Sequence, residues 1–332
     1  MNDPGWYGRP LACRVGDRHL VSTGWYLTAF EMMVSTRYYG SRASVEAKNH
    51  LCQSVIGFFK NDLCIDITRL VVTVFGGGSI LPGVAVPPDL EWADSWRSAG
   101  LKQEQILQLH GPKNYLLFAE DGERCGPKCE VMVSLDGPRG GKLLEVATLI
   151  ADSQILEQDA SGQFAIREGC TIAAGMAFGL ERVAAVAAGL SGIHELEPFR
   201  SWVEIVQSAS RQPGEVLRLM EGDVVSLVDQ VMATLFLLSG PVEIYTEKQR
   251  GLVTSMLGRV KRRLKALEIT NEQECVLALS TAITNHHGGV HGTGFSRADR
   301  LWSLIARIPW PAAYNPDSHR AYPHDSISLP SF

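Results

Sequence analysis

The stretch Gly175-Met-Ala-Phe-Gly-Leu-Glu-Arg-Val-Ala-Ala-Val186 constrains this chain more than any other. Its glycines predict a turn, and the residues after Gly179 predict a helix with an apolar face. Glycine has no Cβ, so a backbone built from it can approach a ligand closely. Arg182 then falls in the first turns of the helix, with Glu181 pointing to a different side. A guanidinium keeps its charge at any working pH, and its planar fork of donors suits phosphate or carboxylate. The same residues would also serve as a plain loop before a core helix with a surface arginine. The rest of the chain has to decide between these.

The bulk numbers narrow the field. With 332 residues, 45% hydrophobic and 20% charged, the chain can bury one large core or two smaller ones. A net charge of −5 leaves any RNA contact to a local basic face, and DNA binding is not expected. No uninterrupted apolar run of about twenty residues is present, so no membrane span is expected. The start, Met-Asn-Asp-Pro-Gly-Trp-Tyr, has neither a basic flank nor an apolar segment of signal type. The cysteine count, Cys 7, is odd and the residues are scattered, which points to reduced thiols in a cytoplasm.

In chain order, Trp25 to Tyr39 is aromatic and β-branched and ends at Gly40, predicting a strand and then a turn. Residues 44–60 have helical spacing, with Ser41 or Ser44 as N-cap. The run from Arg69 to Phe75 predicts a buried strand, and Gly76-Gly-Gly78 a plain loop. Trp92 and Trp96 share one face of a short helix, and Ile106 to Leu109 starts another strand. Glu145 to Ile150 predicts a further strand, and Asp159-Ala-Ser-Gly162 a hairpin turn. From Phe199 to Leu267 the pattern is mostly helical. Between Lys248 and Lys265 every charged residue is basic: Lys248, Arg250, Arg259, Lys261, Arg262, Arg263 and Lys265. Such a segment serves either as a phosphate-backbone contact or as a solvated face with acidic partners elsewhere in the fold. Cys125 and Cys129 offer too few ligands for zinc, and Asn285-His-His-Gly-Gly-Val-His-Gly-Thr-Gly294 predicts a loose loop. No metal site is expected from either. An irregular tail is expected from Pro309.

Several of these motifs, taken in order, resemble class II aminoacyl-tRNA synthetases of the alanyl type, over about residues 20 to 270. The opening stretch is similar to the family's third motif, Gly-Met-Gly-Leu-Glu-Arg-Ile-Ala-Ala-Val, in which the Arg holds the γ-phosphate of ATP. Phe30-Glu31-Met32 with Tyr38-Tyr39-Gly40 resembles the second motif. Cys125-Gly126-Pro127 with Glu130 resembles the family's Gly-Pro-Cys-Gly-Pro-Cys-Ser-Glu-Ile, with Cys125 and Cys129 expected as loop thiols, and Glu145 to Ile150 resembles its Glu-Ile-x-Asn-Leu-Val strand. The resemblance implies an α+β fold: an antiparallel β-sheet flanked by helices over 1–200, a helical tRNA-recognition domain over 201–280, and an irregular His/Gly/Pro-rich tail over 281–332. The chain would be a divergent stand-alone paralogue, trimmed before the second motif and lacking the editing and C-terminal domains.

Carried over residue by residue, the resemblance implies that Arg182, Glu31, Tyr39 and Gly179 bind ATP with Mg²⁺. Arg37 would replace the family's catalytic arginine, whose position is held by Trp25. Asn114, Leu116, Glu130, Thr148, Ala173 and Ala174 would line the substrate pocket. Leu116 stands for the family's pocket tryptophan, and Ala173-Ala174 where the family has the Asp that binds the substrate ammonium. A desolvated ammonium without a counter-charge costs several kcal/mol. The expected substrate is therefore not plain alanine, unless Glu145 or Glu168 supplies the acid. Lys248, Arg250, Arg259, Arg262 and Arg263 would contact the acceptor stem of a tRNA. Glu247 replaces the residue that reads the wobble pair, so backbone binding would survive without the alanine identity readout. Two functions follow. One is ATP-dependent adenylation of a non-standard amino acid or another small acid, with transfer to tRNA, a carrier or a small molecule. The other is a decayed synthetase that binds tRNA or protein. The oligomeric state is left open.

Overall fold

The computed structural model describes residues 5–40, 43–117, 121–137, 142–239, 246–291 and 298–307. Its strands are β1 (Trp6–Gly8), β2 (Leu11–Cys13), β3 (Ala29–Gly40), β4 (Leu70–Phe75), β5 (Gly78–Leu81), β6 (Val84–Val86), β7 (Ile106–Leu109), β8 (Tyr115–Leu116), β9 (Arg124–Ser134), β10 (Leu143–Gln158) and β11 (Phe164–Gly179). Its α-helices are α1 (Ser44–Gly57), α2 (Leu90–Ser98), α3 (Leu180–Ala187), α4 (Phe199–Ala209), α5 (Gly214–Leu219), α6 (Glu221–Ser239), α7 (Glu247–Ala266), α8 (Glu272–His291) and α9 (Ala298–Arg307). Packing divides the chain into two compact units, Met1–Pro10 with Met32–Val183, and Leu11–Glu31 with Ala184–Phe332.

The first unit is a twisted sheet in the order β1-β3-β11-β10-β9-β4-β7. All pairings along it are antiparallel except β4 with β7, which is parallel, so the sheet is the expected antiparallel one with a single parallel edge pair. Its class is α+β. One cross-strand row runs Met33, Phe178, Ala147, Val131, Val72, Ile106. This apolar face is covered by helices. Phe178 stacks on Phe58 with ring centroids 5.5 Å apart, and the indole Nε1 of Trp92 donates to Pro127 O at 3.3 Å. Trp92 and Trp96, on one face of α2 as their spacing predicted, are both fully buried. Asp89 caps α2 by accepting from Trp92 N at 3.2 Å. Ala43, not a serine, is the N-cap of α1; the Ser44 hydroxyl donates instead to Glu91 Oε2 at 2.6 Å.

The predicted turn at Gly175 is not a turn. Gly175 lies inside β11, and a Cβ there would sit 2.6 Å from Ser35 O. The glycine permits close approach of the neighbouring strand rather than of a ligand. Cys125 and Cys129, expected in a loop, lie on β9 with fully buried side chains. The expected strand from Trp25 begins only at Ala29.

The second unit is mainly helical. Its central helix α6 is long and apolar enough to cross a membrane by composition, but 72% of the apolar window is buried within the protein, as in a core helix. Asp229 on α6 is buried and accepts from both the backbone N–H and the hydroxyl of Thr28, each at 2.6 Å. The segment at 285–291, expected to be a loose loop, is the last part of α8, and 298–307 forms α9. The helix absorbs both Gly288 and Gly289 because its buried residues, Leu279 and Ile283, anchor it upstream. The tail predicted from Pro309 lies outside the described residues.

Candidate functional site

The face of the first unit's sheet opposite α1 and α2 carries polar residues in register. A row runs Val34, Ala177, Thr148, Glu130, Thr73 across five strands. Period-2 alternation brings these side chains to one face, and the contacts agree with it. Glu130 Oε2 accepts from Thr148 Oγ1 at 2.6 Å, and Glu130 Oε1 accepts from the Lys128 ammonium. Asn114 is buried and donates from Nδ2 to Thr73 Oγ1 at 2.8 Å and to Lys128 O at 3.3 Å. Leu116 on β8 pairs with Gly126 of β9. So Asn114, Glu130 and Thr148, predicted on separate segments, share one hydrogen-bonded network. Lys128, a member of it, was not predicted; its only sequence signal is a charge two residues from Glu130, at strand spacing.

Ala173 and Ala174 fall on opposite faces of β11. Ala173 pairs with Asp152 and Tyr38, and Ala174 with Ala151 and Arg37. Asp152 shares the alternation of Thr148 and Ile150, so it belongs to the polar face. Its Oδ1 is shut away from solvent and has no hydrogen-bond partner. Burial raises its pKa from 3.8 to about 7, while the Arg124 guanidinium pulls the other way. Arg124 itself donates to Asp152 O at 3.1 Å and to Thr171 O at 3.2 Å. Sequence reasoning named Glu145 and Glu168 as replacement acids and passed over Asp152. Glu168 instead accepts from Gln154 Nε2 at 2.8 Å.

The predicted nucleotide residues do not gather on this face. Arg37 and Tyr39 lie on the helix-covered side. The Arg37 guanidinium sits 5.8 Å from the centroid of the Tyr39 ring, and the Tyr39 hydroxyl is 3.3 Å from His50 Nδ1 on α1. With Asn49 and Gln53 they border a groove of about 730 Å³ beside α1. The reason is parity: Arg37 pairs with Ala174, and Ala177 with Val34, so Arg37 falls opposite the row that holds Thr148. Arg182 does reach the sheet, because Gly179 ends β11 and the chain passes directly into α3. Its Nη1 donates to Glu145 O at 2.5 Å, on the strand that also carries Thr148. Glu31 belongs to the second unit, where it is 3% exposed and its Oε1 lies 3.3 Å from His287 Nδ1.

The basic helix α7 is partly packed into the second unit. Lys261 is buried, and Arg263 pairs with Asp223 at 3.5 Å. Arg250 is exposed, Arg259 and Arg262 are part-exposed, and the Lys248 side chain lies outside the described residues. Among the described residues no group of three or more His, Cys, Asp or Glu could hold a metal ion. Burial holds the Cys129 thiol well above its usual range.

No protein-family profile matches the chain. It is similar to curated alanine–tRNA ligases at low identity. The human mitochondrial enzyme is 29% identical over 190 residues, covering 56% of this chain and 18% of that protein. The Drosophila melanogaster mitochondrial enzyme is 27% identical over 216 residues, 60% of this chain and 20% of that protein. The Rubrobacter xylanophilus enzyme is 24% identical over 317 residues, 88% of this chain and 33% of that protein. The chain thus spans between 18% and 33% of the length of these relatives. Among solved structures it is similar to a putative threonyl-tRNA synthetase, ThrRS-1, from Aeropyrum pernix, with 12% identity, a TM-score of 0.31, and 63% of this chain and 46% of that one covered. The similarity is to aminoacyl-tRNA synthetases, and to the alanyl type by sequence.

Proposed function

We propose that the chain is a synthetase-like ligase that activates a small carboxylic acid on the polar face of its sheet. The observation that carries this is the in-register network of Thr148, Glu130, Lys128, Thr73 and Asn114 beside the Arg182–Glu145 contact. A ligand in contact with this face would be oriented by fixed donors and acceptors, which is where positioning gains its catalytic advantage. ATP, when bound, supplies an α-phosphorus to which the carboxylate oxygen bonds as pyrophosphate leaves, giving an acyl-adenylate. Arg182 and the Gly179 backbone fit the triphosphate end, being a permanent cation and a Cβ-free residue at the strand–helix junction. Tyr39 and Arg37 do not fit the base and transition-state roles, since they face α1, and Mg²⁺ has no preformed ligand cluster among the described residues. Transfer of the acyl group to tRNA, a carrier or a small molecule belongs to the same proposal.

The test is ATP binding by calorimetry with Mg²⁺ and pyrophosphate exchange over a panel of acids, on the wild type and Arg182→Ala. The variant is expected to lose at least tenfold in ATP affinity, as removal of a charge-assisted contact of about 1.5–3 kcal/mol requires. Unchanged affinity would refute the phosphate role.

A second reading, a binding module for tRNA, is favoured by the off-face position of Arg37 and by the outward part of α7. Replacing Arg259 and Arg262 by Ala should then lower the salt dependence of tRNA binding by about one unit of log–log slope per lost phosphate contact. An unaltered slope removes that reading.

A further inference from the structure

The polar face holds a charged group that the predicted site did not contain. Lys128 lies on β9 two positions before Glu130, on the same face. Its side chain is 21% exposed, and its ammonium donates to Glu130 Oε1. An ammonium has three N–H donors, and among the described residues one is given to Glu130. The remaining two are available to an acceptor on the open side.

Glu130 is the reverse case. One of its oxygens takes Lys128 and the other takes Thr148 Oγ1 at 2.6 Å, and its side chain is only 12% exposed. Its charge is balanced and both oxygens are engaged. An incoming amine would have to displace an ammonium already in contact with the carboxylate. Along the row beside Lys128 stand Ile150, Gly175 and Thr36, none of them charged. Further along, Asp152 carries Arg124 as its charged neighbour, and Glu168 is engaged by Gln154. The floor next to the Lys128 ammonium is therefore small, neutral and largely apolar.

We propose that Lys128 is the anion anchor of this face, and that its ligand is a small carboxylic acid lacking an α-amine. The proposal rests on the adenylation reading above and names its substrate class. Lys128 fills, with a residue of the chain, the place where a substrate ammonium would otherwise meet Glu130. The ligand's carboxylate then bonds the free N–H groups, and its short acyl chain lies over Ile150 and Gly175.

The experiment measures binding of matched acid pairs by calorimetry: acetate and glycine, propionate and alanine, succinate and aspartate. It uses the whole chain as wild type, Lys128→Met, Lys128→Arg and Lys128→Met combined with Glu130→Gln. In the wild type the amine-free member of at least one pair should bind about tenfold or more tighter. Lys128→Met should weaken it by a similar factor and raise binding of its amino partner, because Glu130 is released. Lys128→Arg should keep most of the affinity, and it remains informative if the Met variant does not fold. Adding Glu130→Gln to Lys128→Met should abolish that rise in binding of the amino partner, because the released carboxylate is gone. Stronger binding of the amino member of every pair, unchanged acid binding in Lys128→Met, or no binding of any of these acids would each overturn the proposal. ATP binding, followed separately on the same samples, decides the adenylation reading independently: acid binding without ATP binding keeps the anchor and removes the ligase.

Discussion

Asp152→Asn tests the electrostatics of the polar face directly. The Asp152 pKa is raised from 3.8 to about 7, with desolvation as the first cause and Arg124 as an opposing influence. The native state therefore holds a proton that the unfolded chain releases, over the interval between those two values. Stability must fall as pH rises across this interval and level off above it, because ν for the native state exceeds ν for the unfolded state. At 1.36 kcal/mol per unit, the accumulated penalty above pH 7 is about 4 kcal/mol. Asparagine matches the shape of the protonated acid and does not titrate. The variant should thus equal the wild type up to a constant offset at pH 4, then gain on it progressively and reach a plateau near pH 7.5. Urea unfolding from pH 4 to 8, read by hydrogen exchange on peptides of β9, β10 and β11, measures this. Only the difference between the two proteins is diagnostic, since Asp229 in the other unit also has a raised pKa, about 6. Cys125 and Tyr115 also interact with Asp152, but both proteins share them. A difference that stays flat with pH would refute the claim that burial of the Asp152 carboxyl keeps it protonated.

Two further substitutions follow from the packing. Thr28→Val removes the hydroxyl that donates to buried Asp229 and should destabilise the second unit by about 1–3 kcal/mol, measured by thermal or urea unfolding; a change under about 0.5 kcal/mol would mean that the bond contributes little. Gly175→Val places a Cβ 2.6 Å from Ser35 O and should destabilise the first unit by about 1–3 kcal/mol, with faster hydrogen exchange in β3 and β11; unaltered exchange there would show that the strands are not so close.

Much of the local structure was legible. Strand β4, helix α2 and the turn at Asp159 to Gly162 follow from short-range chemistry: β-branched runs, aromatic spacing and an Asp that accepts from Ser161 and Gln163 N–H groups. The face each strand residue takes was less legible. Glu130 and Thr148 were placed together by the resemblance, and they do meet. Arg37 and Tyr39 were placed with them and do not, because a side chain's face depends on register and not on residue type. The register slips between Glu145 and Ala147, and again between Ile150 and Gln154, and each extra residue in a strand inverts the alternation that a sequence reader would extend. Asp152 lies at the second of these slips, and its pairing with Ala173, not its residue type, places it on the polar face.

The sequence by itself determined many of the elements and the similarity to alanyl-type synthetases. Those are properties of residues and their near neighbours. Tertiary structure decided that Lys128 neutralises Glu130, that Glu31 meets His287, that α7 buries Lys261, and that the glycines after His287 are helical. Each of those outcomes is a pairing between distant segments or a helix held by its packed core. Its free energy depends on burial and register, neither of which can be summed along the chain.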